Sequence, residues 1–304
     1  MPTPSAYRVC VIGLGSMGMG AAKSCVRAGL EISGIELNPA RREELLAAGA
    51  AAAAASAAEL PNCDFDAVVV LVVNGAQVRD ALFGPNGIAK LLKPGTAIMV
   101  SSTQSADDAK AVGRELDALG LLMLDAPVSG GPVKAAAGEM TVMASGSKVA
   151  FAALRPVLDA TATKVYEIGA EIGLGATVKI IHQLLAGVHI AAGAEAMALA
   201  ARAGIPLDLM YDVVTHAAGN SWMFENRMKH VVDGDYAPKS AVNIFVKDLG
   251  LVTETGRTLK FPLPLASTAF SMFLSAANAG HGDEDDAAVI KTFAGISLPG
   301  EEQA

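Results

Sequence analysis

Residues 9–29 read VCVIGLGSMGMGAAKSCVRAG, and this stretch decides the fold because five glycines stand between an apolar run and an Ala-rich run. Gly13, Gly15 and Gly18 form the pattern G-x-G-x-x-G, which follows a predicted strand and opens a predicted helix. In that context the first glycine permits a tight turn, the second lets a pyrophosphate approach the backbone, and the third lets the helix pack closely on the strand. The N–H groups at the start of the helix then face the phosphates. The stretch therefore predicts a dinucleotide-binding βαβ unit, whereas an isolated match would indicate only a strand-to-helix turn.

An acidic residue completes the predicted βαβ unit. Glu36 stands eighteen residues after Gly18, at the end of the second predicted strand. A carboxylate there accepts hydrogen bonds from the adenosine ribose hydroxyls and repels a 2′-phosphate. Leu37 follows, at a position where an NADP-binding site often carries arginine. These residues favour NAD as the cofactor. Arg41 and Arg42 keep NADP open, and a flavin site or a vestigial site would also be compatible with the glycine pattern.

The first half of the chain alternates short β-branched runs with helical stretches, which is typical of a parallel sheet covered by helices. The Ala-rich run AGAAAAA is compatible with either a helix or a short strand. Strand signals end near Gly169, and a long helical stretch at residues 176–203 opens an all-helical remainder. We therefore predict an α/β domain over residues 1–168 and an all-α domain over residues 169–304. Strands are predicted at residues 7–12, 31–35, 67–73, 96–100, 121–125, 141–145 and 163–168.

Composition narrows the functional class. The chain has 304 residues, is 52% hydrophobic and carries a net charge of −8, with aromatic residues at only 5%. The absence of a Lys/Arg cluster argues against nucleic-acid binding. Three cysteines, Cys10, Cys25 and Cys63, lack metal-ligand spacing and are typical of free thiols in a reducing cytoplasm. No signal peptide, membrane span or metal site is predicted, so we expect a cytoplasmic protein that acts on a small molecule.

Two further segments carry candidate chemistry. The stretch DAPVSGGPVKAAAGEM, residues 125–140, contains Ser129, Gly130 and Gly131, whose successive N–H groups could bind an anion, although a surface loop is the plain alternative. The stretch GLGATVKIIHQLLAG places Lys179, His182 and Gln183 on one side of the predicted long helix. A lysine on a helix is more often solvated than catalytic.

Four motifs give these segments a family resemblance. GLGSMG, DAPVSGG, GxGxxxK and FVKDLGL occur in the order, and at about the intervals, found in the β-hydroxyacid dehydrogenase family, and the resemblance covers roughly residues 7–295. That family includes 3-hydroxyisobutyrate dehydrogenases, tartronate semialdehyde reductases and 6-phosphogluconate dehydrogenases. The resemblance implies a Rossmann domain, a long interdomain helix and an all-α C-terminal domain that builds a homodimer or homotetramer. Segments such as HQLLAGVHIAAGAEAMALAARAGIP and THAAGNSWMFENRM are most similar to the L-threonate dehydrogenase branch.

The resemblance also implies roles for individual residues. Lys179 matches the catalytic lysine, which acts as general acid and base toward the substrate hydroxyl, and Ser129, Gly130 and Gly131 match the loop that binds the substrate carboxylate. His182 stands where most relatives have asparagine, so His182 and Gln183 are candidate substrate ligands, with His182 a rival base. The alternatives are a 3-hydroxyisobutyrate dehydrogenase, a tartronate semialdehyde reductase and a catalytically silent NAD sensor. The predicted cofactor ligands are Gly13, Leu14, Gly15, Ser16, Met17, Gly18, Glu36, Val73, Asn74, Ser102, Thr103 and Lys247.

Overall fold

The computed structural model describes residues 7–300, and the first six and last four residues lie outside the described part. The chain divides into two compact units, one ending at Lys179 and the other beginning at Ile180. The domain ranges 1–168 and 169–304 differ from this division because the segment up to Lys179, including the first turn of the long helix, groups with the sheet. As functional domains, those two ranges stay predictions.

The first unit is built on a sheet of nine strands with the order β3-β2-β1-β4-β5-β6-β8-β7, and β9 pairs with β8. The strands from β3 to β6 along this order are parallel, and β8 runs antiparallel to β6. The predicted Rossmann fold class is therefore confirmed. The strands are Arg8–Ile12 (β1), Glu31–Ile35 (β2), Ala52–Ala54 (β3), Ala67–Val70 (β4), Ala97–Val100 (β5), Leu122–Asp125 (β6), Val128–Ser129 (β7), Met140–Gly146 (β8) and Ala162–Gly169 (β9).

Helices cover both faces of this sheet because its central strands are apolar on both sides. Val9 and Val11 of β1 belong to one buried cluster, and Cys10 and Ile12 belong to another. Side chains alternate between the two faces of a strand, so a strand buried on both faces is a continuous apolar run. The helices of this unit are Ser16–Arg27 (α1), Pro39–Ala47 (α2), Gly75–Phe83 (α3), Ala106–Asp117 (α4), Gly131–Ala137 (α5), Lys148–Ala153 (α6) and Arg155–Thr161 (α7).

The structure decides two points that the sequence left open and shortens one predicted strand. The Ala-rich run forms strand β3, because it pairs in parallel with β2. The strand predicted over residues 67–73 ends at Val70, and Val73 is 49% exposed in the loop before α3. The surface-loop alternative for residues 125–140 is wrong, since the segment contains β7, which pairs with β8, and helix α5.

The second unit is helical and is entered through helix α8, Leu174–Arg202, which has 29 residues. Small residues let α8 approach its neighbours, since Gly187 faces Leu249 and Gly193 faces Phe224. By length and composition α8 could cross a membrane, but half of its most apolar window is buried in the fold, as in the core helix of a globular protein. The other helices are Leu207–Thr215 (α9), Trp222–Asp233 (α10), Val242–Thr258 (α11) and Pro264–Ala276 (α12), followed by a π-helical turn at Ala277–His281 and a 3₁₀ segment at Asp286–Thr292.

Candidate active site

The glycine-rich loop between β1 and α1 has the backbone that its sequence predicts. Gly13 has φ +87°, and a Cβ there would lie 2.7 Å from the carbonyl oxygen of Leu71. A Cβ on Gly18 would lie 1.8 Å from the carbonyl oxygen of Gly13, so helix and loop meet without room for a side chain. Gly15 is exposed, and apart from the glycine and its two chain neighbours no atom of the described residues lies within 4 Å of its Cβ position. The fold therefore requires glycine at positions 13 and 18, while Gly15 leaves open space for a ligand beside the backbone.

The start of α1 fits the phosphates of a dinucleotide. Gly15 is the N-cap residue, no side chain within residues 7–300 caps the helix, and its first turn contains no acidic residue. The first N–H groups of a helix need acceptors and carry the positive end of the helix dipole. With the open face of Gly15 beside them, these N–H groups suit a pyrophosphate. The exposed Ser16 and half-buried Met17 belong to the same turn.

Glu36 lies at the carboxyl end of β2, next to this loop. Its Oε2 accepts a hydrogen bond of 2.8 Å from the backbone N–H of Leu14, and its Oε1 accepts one of 2.9 Å from Asn38. These two bonds hold the carboxylate beside the loop, and each oxygen keeps acceptor capacity for a ribose hydroxyl.

The two arginines that kept NADP open both have partners. Arg42 donates to the carbonyl oxygens of Glu36 and Leu37, at 2.6 and 2.8 Å. Arg41 pairs with Glu44 at 2.8 Å. Both guanidinium groups therefore have protein partners. In dinucleotide sites of this fold, an acidic residue at the end of the second strand binds the adenosine ribose.

Loops after β4 and β5 hold the next predicted cofactor ligands. The side chain of Asn74 caps α3 by accepting from Gln77, and the N–H of Val73 donates to the Gln77 side chain at 2.8 Å. Ser102 is buried, and its hydroxyl donates to the carbonyl oxygen of Val70 at 3.4 Å, while Thr103 is half-buried. These residues share the carboxyl edge of the parallel strands, where ligands bind in open α/β sheets.

The predicted carboxylate loop also has a defined backbone. Ser129 ends strand β7, Gly130 has φ +133°, and Gly131 begins α5 with φ +71°. Apart from Gly131, its chain neighbours and the adjoining backbone of α5, no atom of the described residues lies within 4 Å of the Cβ position of Gly131. Only glycine adopts these backbone angles without strain. All three residues are half-buried.

Asp125 is a buried residue that the sequence reasoning did not assign. Its Oδ2 accepts hydrogen bonds of 2.9 Å from the backbone N–H groups of Gly173 and Ala176, and one of 3.4 Å from the hydroxyl of Ser145. Burial raises the pKa of the Asp125 carboxyl, and these hydrogen bonds oppose the rise. One signal for this role is present in the sequence. The stretch GLGAT at the start of α8 has no Ser, Asp or Asn at the cap position, so a side-chain cap for this helix has to come from another segment.

Lys179 follows on α8, and its side chain is only 6% exposed. A lysine is rarely buried to this extent unless its amine has a specific environment. The solvated-lysine alternative is therefore wrong. Lys179 belongs to the same compact unit as Asp125 and the carboxylate loop.

The remaining predicted residues form a hydrogen-bond chain inside the second unit. Lys247 Nζ lies 2.6 Å from Oδ1 of Asp248, whose Oδ2 accepts from the side-chain amide of Gln183. Gln183 Oε1 lies 2.9 Å from Nδ1 of the exposed His182. A carboxylate only accepts, so Gln183 donates with Nε2 and its Oε1 must accept. Neutral His182 therefore carries its proton on Nδ1, which leaves Nε2 as the acceptor atom of the ring.

The structure thus separates the predicted site residues into two groups. The cofactor residues of the first unit follow successive strands along one edge of its sheet. Lys247, His182 and Gln183 belong to the second unit, where Asp248 links them. Over residues 7–300, no group of His, Cys, Asp or Glu side chains has a geometry that could hold a metal ion.

Two family models cover most of the chain. One, the NAD-binding domain of 6-phosphogluconate dehydrogenase, matches residues 8–169. The other, described as NAD-binding of NADP-dependent 3-hydroxyisobutyrate dehydrogenase, matches residues 173–293. The fold and the glycine-rich loop thus define a dehydrogenase that binds a nicotinamide dinucleotide. The chain belongs to the β-hydroxyacid dehydrogenase family, as its motifs predicted.

Relatives of high sequence identity are found both among curated proteins and among solved structures. The chain is 71% identical to the L-threonate dehydrogenase of Haemophilus influenzae, over 96% of this chain and 97% of that protein. It is 67% identical to the L-threonate dehydrogenase of Escherichia coli strain K12, over 99% of both. A Salmonella typhimurium crystal structure described as 3-hydroxyisobutyrate dehydrogenase is 69% identical, with a TM-score of 0.91, and the match covers 94% of this chain and 100% of that one. These names disagree on the substrate.

Proposed function

We propose that this protein oxidises the C2 hydroxyl of L-threonate to the 2-oxo acid 2-dehydro-L-erythronate, with NAD as hydride acceptor. The observation that carries the proposal is the near full-length identity of 67% or more to two L-threonate dehydrogenases. Identity of this degree, extending over both units, supports a shared substrate as well as a shared fold.

The chemistry needs a proton acceptor at the substrate hydroxyl. When bound, the nicotinamide ring accepts the hydride that leaves C2. Lys179, as a neutral amine, takes the proton of the C2 hydroxyl while the C2–H bond breaks, and the ammonium later releases that proton to water. In the reverse direction the ammonium protonates the oxygen of the carbonyl as it is reduced.

Other residues of the proposed site hold the substrate. Ser129 and the N–H groups of Gly130 and Gly131 bind the carboxylate, because successive N–H groups at a glycine turn suit an anion. His182 and Gln183 bind the hydroxyls of the polyol chain. Nε2 of neutral His182 is an acceptor, so it suits a hydroxyl that donates. His182 as the proton acceptor in place of Lys179 is the alternative mechanism.

NAD rather than NADP is the proposed cofactor. The support is the carboxylate of Glu36, held beside the glycine loop by Leu14, and the engagement of Arg41 and Arg42 with other partners. A 2′-phosphate would be repelled by the negative charge of Glu36 at this position. The guanidinium groups of Arg41 and Arg42 already have protein partners.

We also propose that the protein is a cytoplasmic homodimer or homotetramer. Cys10 and Cys25 are free and buried, as in a reducing compartment. On the part of α8 that belongs to the second unit, Ile181, Leu185 and Leu199 are exposed by 59%, 52% and 69%. Exposed apolar side chains at helical spacing on one element support a contact with a second copy.

The deciding experiment measures kcat/KM for L-threonate and 3-hydroxyisobutyrate under identical conditions with NAD. A site built to bond several hydroxyls strongly rejects analogues that lack them, so we expect a preference for L-threonate of about 100-fold or more. A preference for 3-hydroxyisobutyrate would overturn the substrate and leave the class unchanged. Fast reduction of tartronate semialdehyde with NADH would support the reductase alternative. Tight NAD binding without turnover on any hydroxyacid would support the sensor alternative.

A further inference from the structure

We propose that Asp125 and Ser145 are positioning residues that hold Lys179 at the reacting oxygen, and this inference rests on the proton-transfer role proposed above for Lys179. Neither residue is proposed to contact substrate or cofactor. They act through the first turn of α8, which carries the lysine.

The four N–H groups at the start of α8 have defined acceptors. Gly173 and Ala176 donate to Asp125 Oδ2, both at 2.9 Å. Gly175 donates to Ser145 Oγ at 3.0 Å, and Leu174 donates to the carbonyl oxygen of Glu171 at 3.4 Å. The first N–H groups of a helix have no partner within the helix. Two side chains, Asp125 of β6 and Ser145 of β8, therefore accept from three of the four N–H groups.

The two acceptor side chains are buried and hydrogen-bonded to each other. Asp125 and Ser145 are both fully buried, and they are paired across β6 and β8. The Ser145 hydroxyl donates to the same Asp125 oxygen that receives the helix. Gly175 lets the start of α8 approach β6 closely, because a Cβ there would lie 2.4 Å from the carbonyl oxygen of Asp125. Two bonds to the carboxyl group of Asp125 and one to the hydroxyl of Ser145 thus attach the helix end to the sheet.

Lys179 lies one helical turn after this attachment, on the same face of α8. It follows Ala176 by three positions and Gly175 by four, and residues at these spacings share one face of a helix. Proton transfer needs the amine within hydrogen-bond reach of the substrate oxygen. A small displacement of the first turn would move the lysine from that position without removing it.

The test uses two variants that weaken the attachment, Asp125→Asn and Ser145→Ala, with the full-length protein and its hydroxyacid substrate. We expect kcat to fall by about 10- to 100-fold, the loss that a misplaced catalytic group causes, while the KM for substrate and the Kd for NAD change less than about twofold. The primary deuterium isotope effect on kcat, measured with substrate labelled at C2, should rise as hydride transfer becomes rate-limiting.

Two matched controls share the substitution but not the contact with α8. Ser147→Ala removes the cap of α6, only two residues from Ser145. Asp66→Asn changes a carboxylate that accepts the N–H of Arg8 at the opposite end of the sheet. Both controls should keep at least half of the wild-type kcat. An equal loss of kcat in the controls would overturn the proposal, because destabilisation alone would then explain it.

Lys179→Ala separates this inference from the proposed function. If that variant keeps more than about a tenth of the wild-type activity, the role of Lys179 fails. If Lys179→Ala is inactive while Asp125→Asn and Ser145→Ala keep wild-type kcat, the positioning role alone is overturned. Should Asp125→Asn fail to fold, Ser145→Ala decides.

Discussion

A single carboxylate, Glu36, sets the expected cofactor preference. The double variant Glu36→Gln, Leu37→Arg should raise kcat/KM with NADP by about tenfold or more, because it removes repulsion and adds a charged donor for the 2′-phosphate. Steady-state rates with both cofactors measure the change. The single variant Leu37→Arg, which keeps the carboxylate, is the control and should gain less. Equal use of NAD and NADP by the wild type would contradict the role given to Glu36.

We expect His182 to give this chain a substrate preference that differs from that of relatives with asparagine at this position. Asp248 and Gln183 orient its ring so that Nε2 accepts, whereas the amide group of an asparagine is shorter and also donates. We expect His182→Asn to lower the preference for L-threonate over 3-hydroxyisobutyrate by roughly tenfold, with NAD affinity unchanged. Competition assays with the two acids and fluorescence titration with NAD measure both quantities. A parallel loss of NAD affinity would indicate a different role.

At the scale of elements, two helical glycines should respond to alanine in opposite directions. A Cβ on Gly187 of α8 would lie 2.9 Å from the buried side chain of Leu249, whereas the nearest atom to one on Gly250 of α11 is 3.9 Å away. Overpacking costs about 1–3 kcal/mol, and alanine in a helix gains up to about 1 kcal/mol over glycine. Gly187→Ala should therefore lower the free energy of unfolding and Gly250→Ala should raise it. Urea unfolding of both variants provides the test, and a stabilised Gly187→Ala would be inconsistent with this packing.

The contact between α10 and the 3₁₀ segment should make the free energy of unfolding depend on pH. Asp285 is buried and accepts bonds from His230 Nδ1 at 2.9 Å and from the N–H of Lys239 at 3.0 Å. Burial raises the pKa of this carboxyl, but the bonds outweigh it and leave the pKa below its ordinary value. The native state thus binds this proton less tightly than the unfolded chain, so the carboxylate stabilises the fold above about pH 4 and loses that effect at lower pH.

Asp285→Asn removes the titration while keeping the shape of the side chain. We expect it to lower the free energy of unfolding at pH 7 by about 2 kcal/mol. The difference from the wild type should shrink as the pH falls below about 4. Denaturant unfolding at pH 7, 5 and 3.5 measures this, with Asp283→Asn, an exposed neighbour, as control. A difference that stays constant over this range would exclude the carboxylate as its cause.

At the scale of the whole molecule, the sequence predicted those elements whose formation depends on a pattern within a single short segment. Strand β2 is found at Glu31–Ile35 as predicted, and the glycine loop has the predicted turn, because apolar alternation and glycine spacing act locally. The fold class, the family and the dehydrogenase class are confirmed. The individual roles of Lys179 and the other site residues stay predictions.

Other features required the tertiary structure. The Ala-rich run becomes a strand because β2 offers it a partner, and this pairing overrides the preference of alanine for a helix. A break between α9 and α10, at residues 216–221, has no Pro and was not predicted. Asp125 accepts from Gly173, which is 48 positions further along the chain. No local pattern joins residues so far apart.

By itself, the sequence determined which segments form the βαβ units, which family the chain belongs to and which lysine is the candidate for catalysis. All three depend on short motifs and on the order of those motifs. The tertiary structure alone decided how α8 is attached to the sheet and how His182 is oriented. The physical reason is that hydrogen bonding of buried groups is set by distance in space. Asp125 meets the start of α8, and Asp248 meets Gln183, only after the sheet and the helices have packed.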